Sequence, residues 1–210
     1  GTGKTTTINT IIRYFEHEGC DIFLAAPTGR AAKRMTEATG YEARTIHRML
    51  EVNGGPDGAG GFERNEQNPL EADVIIIDEM SMVDILLFES LLRAIRLGTR
   101  IIMVGDSDQL PSVGAGNVLA DIIASGKVPT VALSKVFRQA MESLIVANAH
   151  RIISGEIPEL DSKTSDFFML QNTDRLSAAE LVVDLCAKRL PDAYGFEPMT
   201  DVQVLCPSKK

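Results

Sequence analysis

The sequence has 210 residues, of which 44% are hydrophobic and 24% charged, and its formal net charge at pH 7 is −8. This composition predicts a packed globular core, and the acidic balance argues against a generally basic, duplex-coating surface while permitting a narrow basic groove. No apolar run approaches the roughly 20 residues of a membrane helix and no signal peptide opens the chain, so we expect a cytoplasmic protein without a membrane partner.

Short β-branched runs alternate with segments of helical periodicity. Strands are predicted at 21–26, 74–77, 100–104, 130–133, 167–170 and 202–206. Helices are predicted at 4–18, 30–39, 45–51, 84–97, 117–125, 141–154 and 175–189. The runs at 74–77 and 101–104 are apolar throughout, which is typical of parallel strands buried on both faces. The pattern predicts an α/β fold, a mostly parallel sheet with flanking helices.

The chain opens on Gly1-Thr-Gly-Lys-Thr5, which matches the end of the phosphate-loop motif G-x-x-x-x-G-K-[ST]. In that motif glycines turn backbone N–H groups toward a phosphate, the lysine reaches the β- and γ-phosphates, and the hydroxyl binds Mg²⁺. A glycine-rich turn that only caps a helix is the alternative. We expect the first three motif positions and the strand before them to be missing, so that the sheet lacks its phosphate-loop strand.

Acidic and polar side chains follow two of the predicted strands. Asp78 and Glu79 end the run 74–77, where Asp78 could hold Mg²⁺ and Glu79 could polarise an attacking water. Gln109 follows the strand at 100–104 and could contact both a γ-phosphate and a water, and Arg138 could supply a planar cation to phosphate oxygens. The alternatives are acids that favour a helix N-terminus, a turn stabilised by Asp side chains, and a surface arginine.

Six motifs in a fixed order resemble the first motor domain of a RecD-type superfamily 1 helicase, the alpha subunit of exodeoxyribonuclease V or its stand-alone relatives. They are Gly1-Thr-Gly-Lys-Thr-Thr6, Leu24-Ala-Ala-Pro-Thr-Gly-Arg-Ala-Ala-Lys-Arg34, Thr45-Ile-His-Arg48, Ile77-Asp-Glu-Met-Ser-Met-Val-Asp84, Val104-Gly-Asp-Ser-Asp-Gln-Leu-Pro-Ser-Val-Gly-Ala-Gly116 and Val136-Phe-Arg-Gln139. The resemblance implies a RecA-like P-loop fold, ATP-driven 5′ to 3′ translocation on single-stranded DNA, and a role in DNA repair and recombination.

By this resemblance the functional residues fall into two sets. Those implied to bind or hydrolyse ATP are Gly1, Thr2, Gly3, Lys4, Thr5, Thr6, Asp78, Glu79, Gln109 and Arg138, with Thr5 and Asp78 holding Mg²⁺. Those implied to contact DNA are Pro27, Thr28, Gly29, Arg30, Thr45 and His47. Aromatic residues make up only 5% of the chain, so we expect contacts to the DNA backbone rather than base stacking. A solvated helix face around Arg30 remains the alternative.

The resemblance also implies a domain organisation. Residues 1–200 would form a first motor domain, truncated at its N-terminus and carrying a surface loop insertion at 53–69, and residues 201–210 would start a second motor domain. The loop is rich in Gly, Asn and Pro, and a simple connector is as compatible with it as a functional insertion. We expect this chain alone to bind nucleotide weakly and to unwind nothing. The implied partners are single-stranded DNA, duplex DNA with a 5′ tail, and other subunits of a recombination nuclease complex.

The sequence also bears on two other classes of function. One is a nucleotide-binding regulatory or assembly module without helicase activity, against which the intact ATP-site residues argue. The other is a nuclease, which we reject because no metal-binding cluster of carboxylates stands outside the phosphate-loop set. The three cysteines and three histidines are scattered and suggest neither a zinc site nor a disulfide framework, which is typical of a reducing compartment.

Overall fold

The computed structural model describes residues 3–53, 61–133, 143–162 and 166–206. The chain divides into two compact units, residues 1–142 and 143–210. The strands of the first unit are β1 (Ile22–Ala26), β2 (Ala43–Thr45), β3 (Val74–Ile77) and β4 (Arg100–Met103). Its helices are α1 (Lys4–His17), α2 (Gly29–Thr39), α3 (Ile46–Met49), α4 (Ile85–Arg93) and α5 (Val118–Ser125).

The four strands form one sheet in the order β2-β1-β3-β4, and every neighbouring pair is parallel. Leu24 lies opposite Ile76, and Ile76 lies opposite Ile102, so the central strands are in register across the sheet. The predicted α/β fold with a parallel sheet and flanking helices is therefore confirmed. Since all strands point the same way, the segments that follow them meet at one edge.

Strand β3 is buried on both faces of the sheet. Ile75 and Ile77 belong to a core cluster that also contains residues of α3, α4 and α5. Val74 and Ile76 belong to a second cluster, to which α1 and α2 contribute. This arrangement explains why the β3 sequence is apolar without alternation, because successive side chains of a strand point to opposite faces.

Three helices of the first unit, α2, α3 and α4, begin at polar side-chain caps. The side-chain oxygens of Thr28, Thr45 and Asp84 accept backbone N–H groups at the starts of α2, α3 and α4. Gly40, with φ of 78°, ends α2 in the left-handed conformation that glycine adopts at low cost. These caps place the first turns of α2 and α3 directly after β1 and β2.

The two ends of the loop between α3 and β3 are joined by antiparallel backbone hydrogen bonds. The N–H of Asn53 donates to the carbonyl of Gly61 at 2.9 Å, and the N–H of Glu63 donates to the carbonyl of Glu51 at 2.9 Å. An antiparallel bridge between Val52 and Phe62 lies between these two bonds. Arg64 then binds Glu51, with 2.8 Å between Nη2 and Oε1. Within its described part, the predicted surface loop thus starts and ends on an ordered antiparallel stem.

The second unit contains helices α6 (Leu144–Ile153), α7 (Arg175–Asp184) and α8 (Leu190–Tyr194), the last two joined by a π-helical turn at Leu185–Arg189. The fully buried amide of Asn148 holds the backbone of Glu159 through two hydrogen bonds of 2.8 Å. The carboxylate of Asp166 accepts the hydroxyl of Ser143 and the N–H of Leu144 at the start of α6. The bond from the Ser143 hydroxyl lowers the pKa of Asp166.

Three of the predicted strands are wrong and one strand was not predicted. Residues 130–133, 167–170 and 202–206 form no strand in the described structure, and apolar side chains in each are exposed. A run of β-branched and apolar residues becomes a strand only where another strand pairs with its backbone. Strand β2 was missed because Ala43–Thr45 is short and has no apolar run. Among the described residues, no helix combines the length and the apolar character that crossing a membrane requires.

Candidate functional site

Helix α1 starts at the phosphate-loop residues. Gly3, with φ of 83°, precedes the helix in the left-handed conformation, and its carbonyl accepts the N–H of Thr7 at 3.0 Å. No side chain caps this helix start in the described part of the chain. The first amide groups of α1 therefore remain available to an anion, which the helix dipole also favours. Lys4 is half-buried here, while Thr5 and Thr6 are exposed.

The structure brings Lys4 to the acidic pair that follows β3. The Lys4 ammonium lies 3.9 Å from Asp78 Oδ1 and 3.7 Å from Glu79 Oε1. The backbone fixes the acids, because the N–H of Asp78 donates to Ala25 at 3.0 Å and the N–H of Glu79 donates to Asp78 Oδ1 at 2.8 Å. A cation and two carboxylates that lie far apart in sequence thus meet at the carboxyl edge of the sheet.

Glu79 has an unusual backbone conformation that the sequence did not reveal. Its φ of 55° and ψ of 41° lie in the left-handed region, which costs a residue other than glycine on the order of 1–3 kcal/mol. The N–H of Met80, which donates to the Val104 carbonyl at 3.0 Å, ties the chain after Glu79 to the end of β4. The hydroxyl of Ser81 is buried and has no hydrogen-bond partner among the described residues. No motif or spacing signals either feature.

Gln109 lies in the exposed loop that follows β4. Its side-chain amide is 3.3 Å from Asp106 Oδ2, and Asp106 Oδ1 accepts the N–H of Asp108 at 3.1 Å. The turn stabilised by an Asp side chain, which was the alternative for this segment, is therefore present alongside an exposed Gln109. Arg138 lies outside the described residues, as do Gly1 and Thr2.

The residues that the resemblance implies for DNA contact also meet at one edge. Ala26, the last residue of β1, pairs with Thr45, the last residue of β2, so the two motifs start side by side. The hydroxyls of Thr28 and Thr45 are occupied as helix caps, accepting N–H groups at 3.2 and 3.1 Å. Arg30 and His47 are exposed, and the His47 ring lies 5.9 Å from the ring of Phe62 on the loop stem.

The oxygen ligands at this site suit an Mg²⁺ ion that is bound partly by the protein and partly by a phosphate, rather than a metal ion bound by the protein alone. No group of three or more His, Cys, Asp or Glu side chains converges within the ranges that the structure describes. Mg²⁺ commonly takes one or two protein ligands and completes its shell with phosphate oxygens and water. The Thr5 hydroxyl at the start of α1 and the Asp78 carboxylate after β3 are ligands of that kind.

A parallel α/β sheet whose carboxyl edge joins a Gly-Lys-Thr helix start to an Asp-Glu pair defines a P-loop nucleotide-binding domain. The chain belongs to the AAA domain family, whose model matches residues 1–180. Membership in this family implies nucleotide binding.

Comparisons with individual proteins narrow this class. The ATP-dependent RecD2 DNA helicase of Deinococcus radiodurans is 38% identical over 190 residues, which are 90% of this chain and 24% of that protein. The RecBCD enzyme subunit RecD of Mycolicibacterium smegmatis is 40% identical over 146 residues, which are 59% of this chain and 26% of that protein. The chain thus spans about a quarter of the length of these relatives. The resemblance to RecD-type helicases is confirmed.

A solved structure supports the fold. The crystal structure of the Pif1 helicase from Candida albicans is 25% identical to this chain, with a TM-score of 0.53. The match covers 76% of this chain and 40% of the Pif1 chain. The similarity confirms the RecA-like architecture that the parallel sheet and its flanking helices indicate.

Proposed function

We propose that this chain is the first motor domain of an ATP-dependent DNA helicase that moves 5′ to 3′ along single-stranded DNA. The observation that carries the proposal is the convergence of Lys4, Asp78 and Glu79, with 3.7–3.9 Å between the ammonium and each carboxylate. Three charged groups at a helix start and a strand end are the parts that phosphoryl transfer from a nucleotide requires.

Each residue of the site has a separate role in this proposal. Lys4 binds the terminal phosphates, and the amides of Gly3, Thr5 and Thr6 surround them. Thr5 and Asp78 would hold Mg²⁺, which would neutralise negative charge on the phosphate oxygens. Glu79 orients the attacking water and accepts its proton.

Gln109 and Arg138 complete the proposed ATP site. Gln109 senses the γ-phosphate from the loop after β4, where an amide can donate to a phosphate oxygen and accept from water. Arg138 contributes a cation to the phosphate oxygens. Gly1 and Thr2 extend the phosphate loop. These assignments follow from the motif order, and for Gln109 also from its position after the strand next to β3.

DNA would bind at the edge formed by the starts of α2 and α3. The adjoining segments 27–30 and 45–47 present helix amides together with Arg30 and His47. Because the Thr28 and Thr45 hydroxyls already cap helices, we propose that contacts come from backbone amides and from the exposed Arg30. The partner would be single-stranded DNA or duplex DNA with a 5′ tail, and the motor would work alone or with other subunits of a nuclease complex.

The domain assignment is part of the proposal. Residues 1–200 would be the first motor domain and residues 201–210 the start of the second. ATP hydrolysis would then depend on groups from both domains, and movement on DNA would follow from changes between them.

The test is ATP hydrolysis by the full-length protein, with and without single-stranded DNA, compared with Lys4→Ala. We expect DNA to stimulate hydrolysis in the wild type, and Lys4→Ala to abolish the stimulated rate because it removes the cation that binds the transferred phosphate. Lys127→Ala, which removes an exposed lysine that follows α5, is the matched control and should retain most of the rate. Tight ATP binding without any turnover would contradict the proposal and favour a regulatory nucleotide-binding module.

A further inference from the structure

The loop from Gly105 to Asn117 carries Gln109. At its N-terminal end this loop contacts the segment that follows the acidic pair Asp78 and Glu79. A Cβ atom at Gly105 would lie 2.6 Å from Leu119 Cδ2 and 3.1 Å from the backbone nitrogen of Met80. The Met80 N–H in turn donates to Val104. The start of the loop therefore packs directly on the residue that follows Glu79.

The second end of the same loop is fastened to the start of α4. The N–H of Ile85 donates to the carbonyl of Ala115 at 2.9 Å. A Cβ atom at Gly114 would lie 2.2 Å from Asp84 Oδ2, 2.7 Å from Asp84 Cβ and 2.8 Å from Asp84 Cγ. The Ser112 hydroxyl, which donates to the Gly114 carbonyl at 2.9 Å, holds the loop in this close approach.

Position 114 requires glycine because a side chain there would have no space. Gly114 is not among the residues with positive φ, so a left-handed backbone is not the reason for a glycine at this position. The obstacle is Asp84, which cannot turn aside because its other carboxylate oxygen accepts the Leu87 N–H at 2.8 Å as the cap of α4. Since Asp84 Cβ and Cγ are within 3 Å as well, a methyl group at 114 would have to displace the loop.

We infer that Gly114 is a positioning residue, which through its contact with Asp84 sets the distance between Gln109 and Glu79. Both ends of the Gln109 loop contact the segment that follows Glu79. The position of the loop is therefore coupled to the position of the acidic pair. This inference rests on the proposed ATP hydrolysis, and it assigns a role to two residues outside the predicted site. In this inference Gly114 acts through Gln109 rather than on the nucleotide itself.

The experiment is a cycle of Gly114→Ala, Asp84→Gly and the double variant, made in the full-length protein. Gly114→Ala should lower the DNA-stimulated kcat on the order of 10- to 100-fold, as expected for a displacement of up to about 1 Å at a reacting centre. The double variant should recover most of this loss, because glycine at 84 removes the obstructing side chain and still serves as an N-cap. Gly61→Ala, at an open position with ordinary φ, is the control and should behave as wild type.

Measurements of nucleotide affinity distinguish a positioning role of Gly114 from a general loss of stability in the Gly114→Ala variant. Gly114→Ala should bind ADP as wild type does, and should bind ADP with aluminium fluoride, which mimics the transferred phosphate, at least tenfold more weakly. Thermal unfolding of each variant checks that it is folded at the assay temperature. Equal losses for both ligands, an unchanged kcat, or a double variant no better than Gly114→Ala would each overturn the inference. A wild type without DNA-stimulated hydrolysis would instead contradict the proposed function, and the role of Gly114 with it.

Discussion

At the scale of single residues, the notable feature is the position of the two acids after β3. Glu79 lies in the left-handed region while its carboxylate stays 3.7 Å from the Lys4 ammonium. Backbone strain of this kind persists only where neighbouring bonds hold it, here the bonds from Glu79 to Asp78 and from Met80 to Val104. A strained acid held beside Lys4 suits the proposed role of Glu79, which is to hold a water in one orientation.

Glu79→Gln tests this role at nearly constant shape. Because the amide cannot accept a proton from water, we expect kcat for ATP hydrolysis to fall by about 10²- to 10⁴-fold, while ATP affinity changes little. Steady-state hydrolysis and equilibrium ATP binding measure the two quantities. Glu89→Gln, which alters an exposed glutamate paired with Arg93 on α4, should leave both unchanged. A Glu79→Gln variant that hydrolyses ATP at the wild-type rate would remove Glu79 from the mechanism.

Which side chains would meet at the carboxyl edge of the sheet could be predicted from the sequence, but their geometry could not. Motif order was sufficient to select Lys4, Asp78 and Glu79, which the structure brings together. The left-handed conformation of Glu79 and the close approach of Gly114 to Asp84 depend on how three loops pack against each other. Such contacts leave no local pattern, because the glycine at 114 resembles any glycine of a turn.

At the scale of elements, two helices start where two neighbouring parallel strands end. Thr28 and Thr45 cap α2 and α3, and the pairing of Ala26 with Thr45 sets the two starts side by side. Helix N-termini attract phosphate through their free amides and their dipole. Under the proposed function, this edge is where the phosphates of the DNA backbone would bind.

Arg30→Ala tests whether this edge binds DNA. We expect weaker binding of single-stranded DNA and a shallower dependence of affinity on salt, by about 0.7 in the slope of log K against log[salt], because one phosphate contact is lost. Fluorescence anisotropy over a range of salt concentrations measures both. Arg93→Ala, which makes the same change in net charge on α4, is the matched control. The assignment fails if the two variants show the same affinity and the same slope.

The elements that could be predicted are those with strong local patterns. Helices α1 and α2 and strand β3 were placed within a residue or two, since periodicity, capping residues and an uninterrupted apolar run define them. Strand β2 has three residues and depends on its neighbour β1 for pairing. Strand-like residues also occur at 130–133, 167–170 and 202–206. Whether such a segment forms a strand depends on a partner strand, and the sequence of the segment alone does not show whether one is available.

At the scale of the whole molecule, the core of the first unit has two layers, one on each face of the sheet. The cluster with α3, α4 and α5 contains Leu91, which is fully buried, whereas its neighbour Leu92 is 46% exposed. Stability of this unit should therefore depend on which of two adjacent leucines is truncated.

Leu91→Ala should lower the free energy of unfolding by about 2–5 kcal/mol, because it removes buried methyl groups and leaves a cavity. Leu92→Ala should lower it by less than about 1 kcal/mol, since half of that side chain already contacts water. Urea unfolding followed by circular dichroism measures both. Similar losses for the two variants would show that the α4 face is buried differently.

The antiparallel stem between 51–53 and 61–63 has a consequence for how the domain tolerates change. Its backbone bonds close the loop before the chain returns to β3, so the connection from α3 to the sheet does not depend on how many residues lie between Asn53 and Gly61. Doubling the length of a flexible loop costs only about 0.6 kcal/mol. We therefore expect this point of the chain to accept inserted peptides, tags or fluorophores while the sheet and the charged edge stay intact.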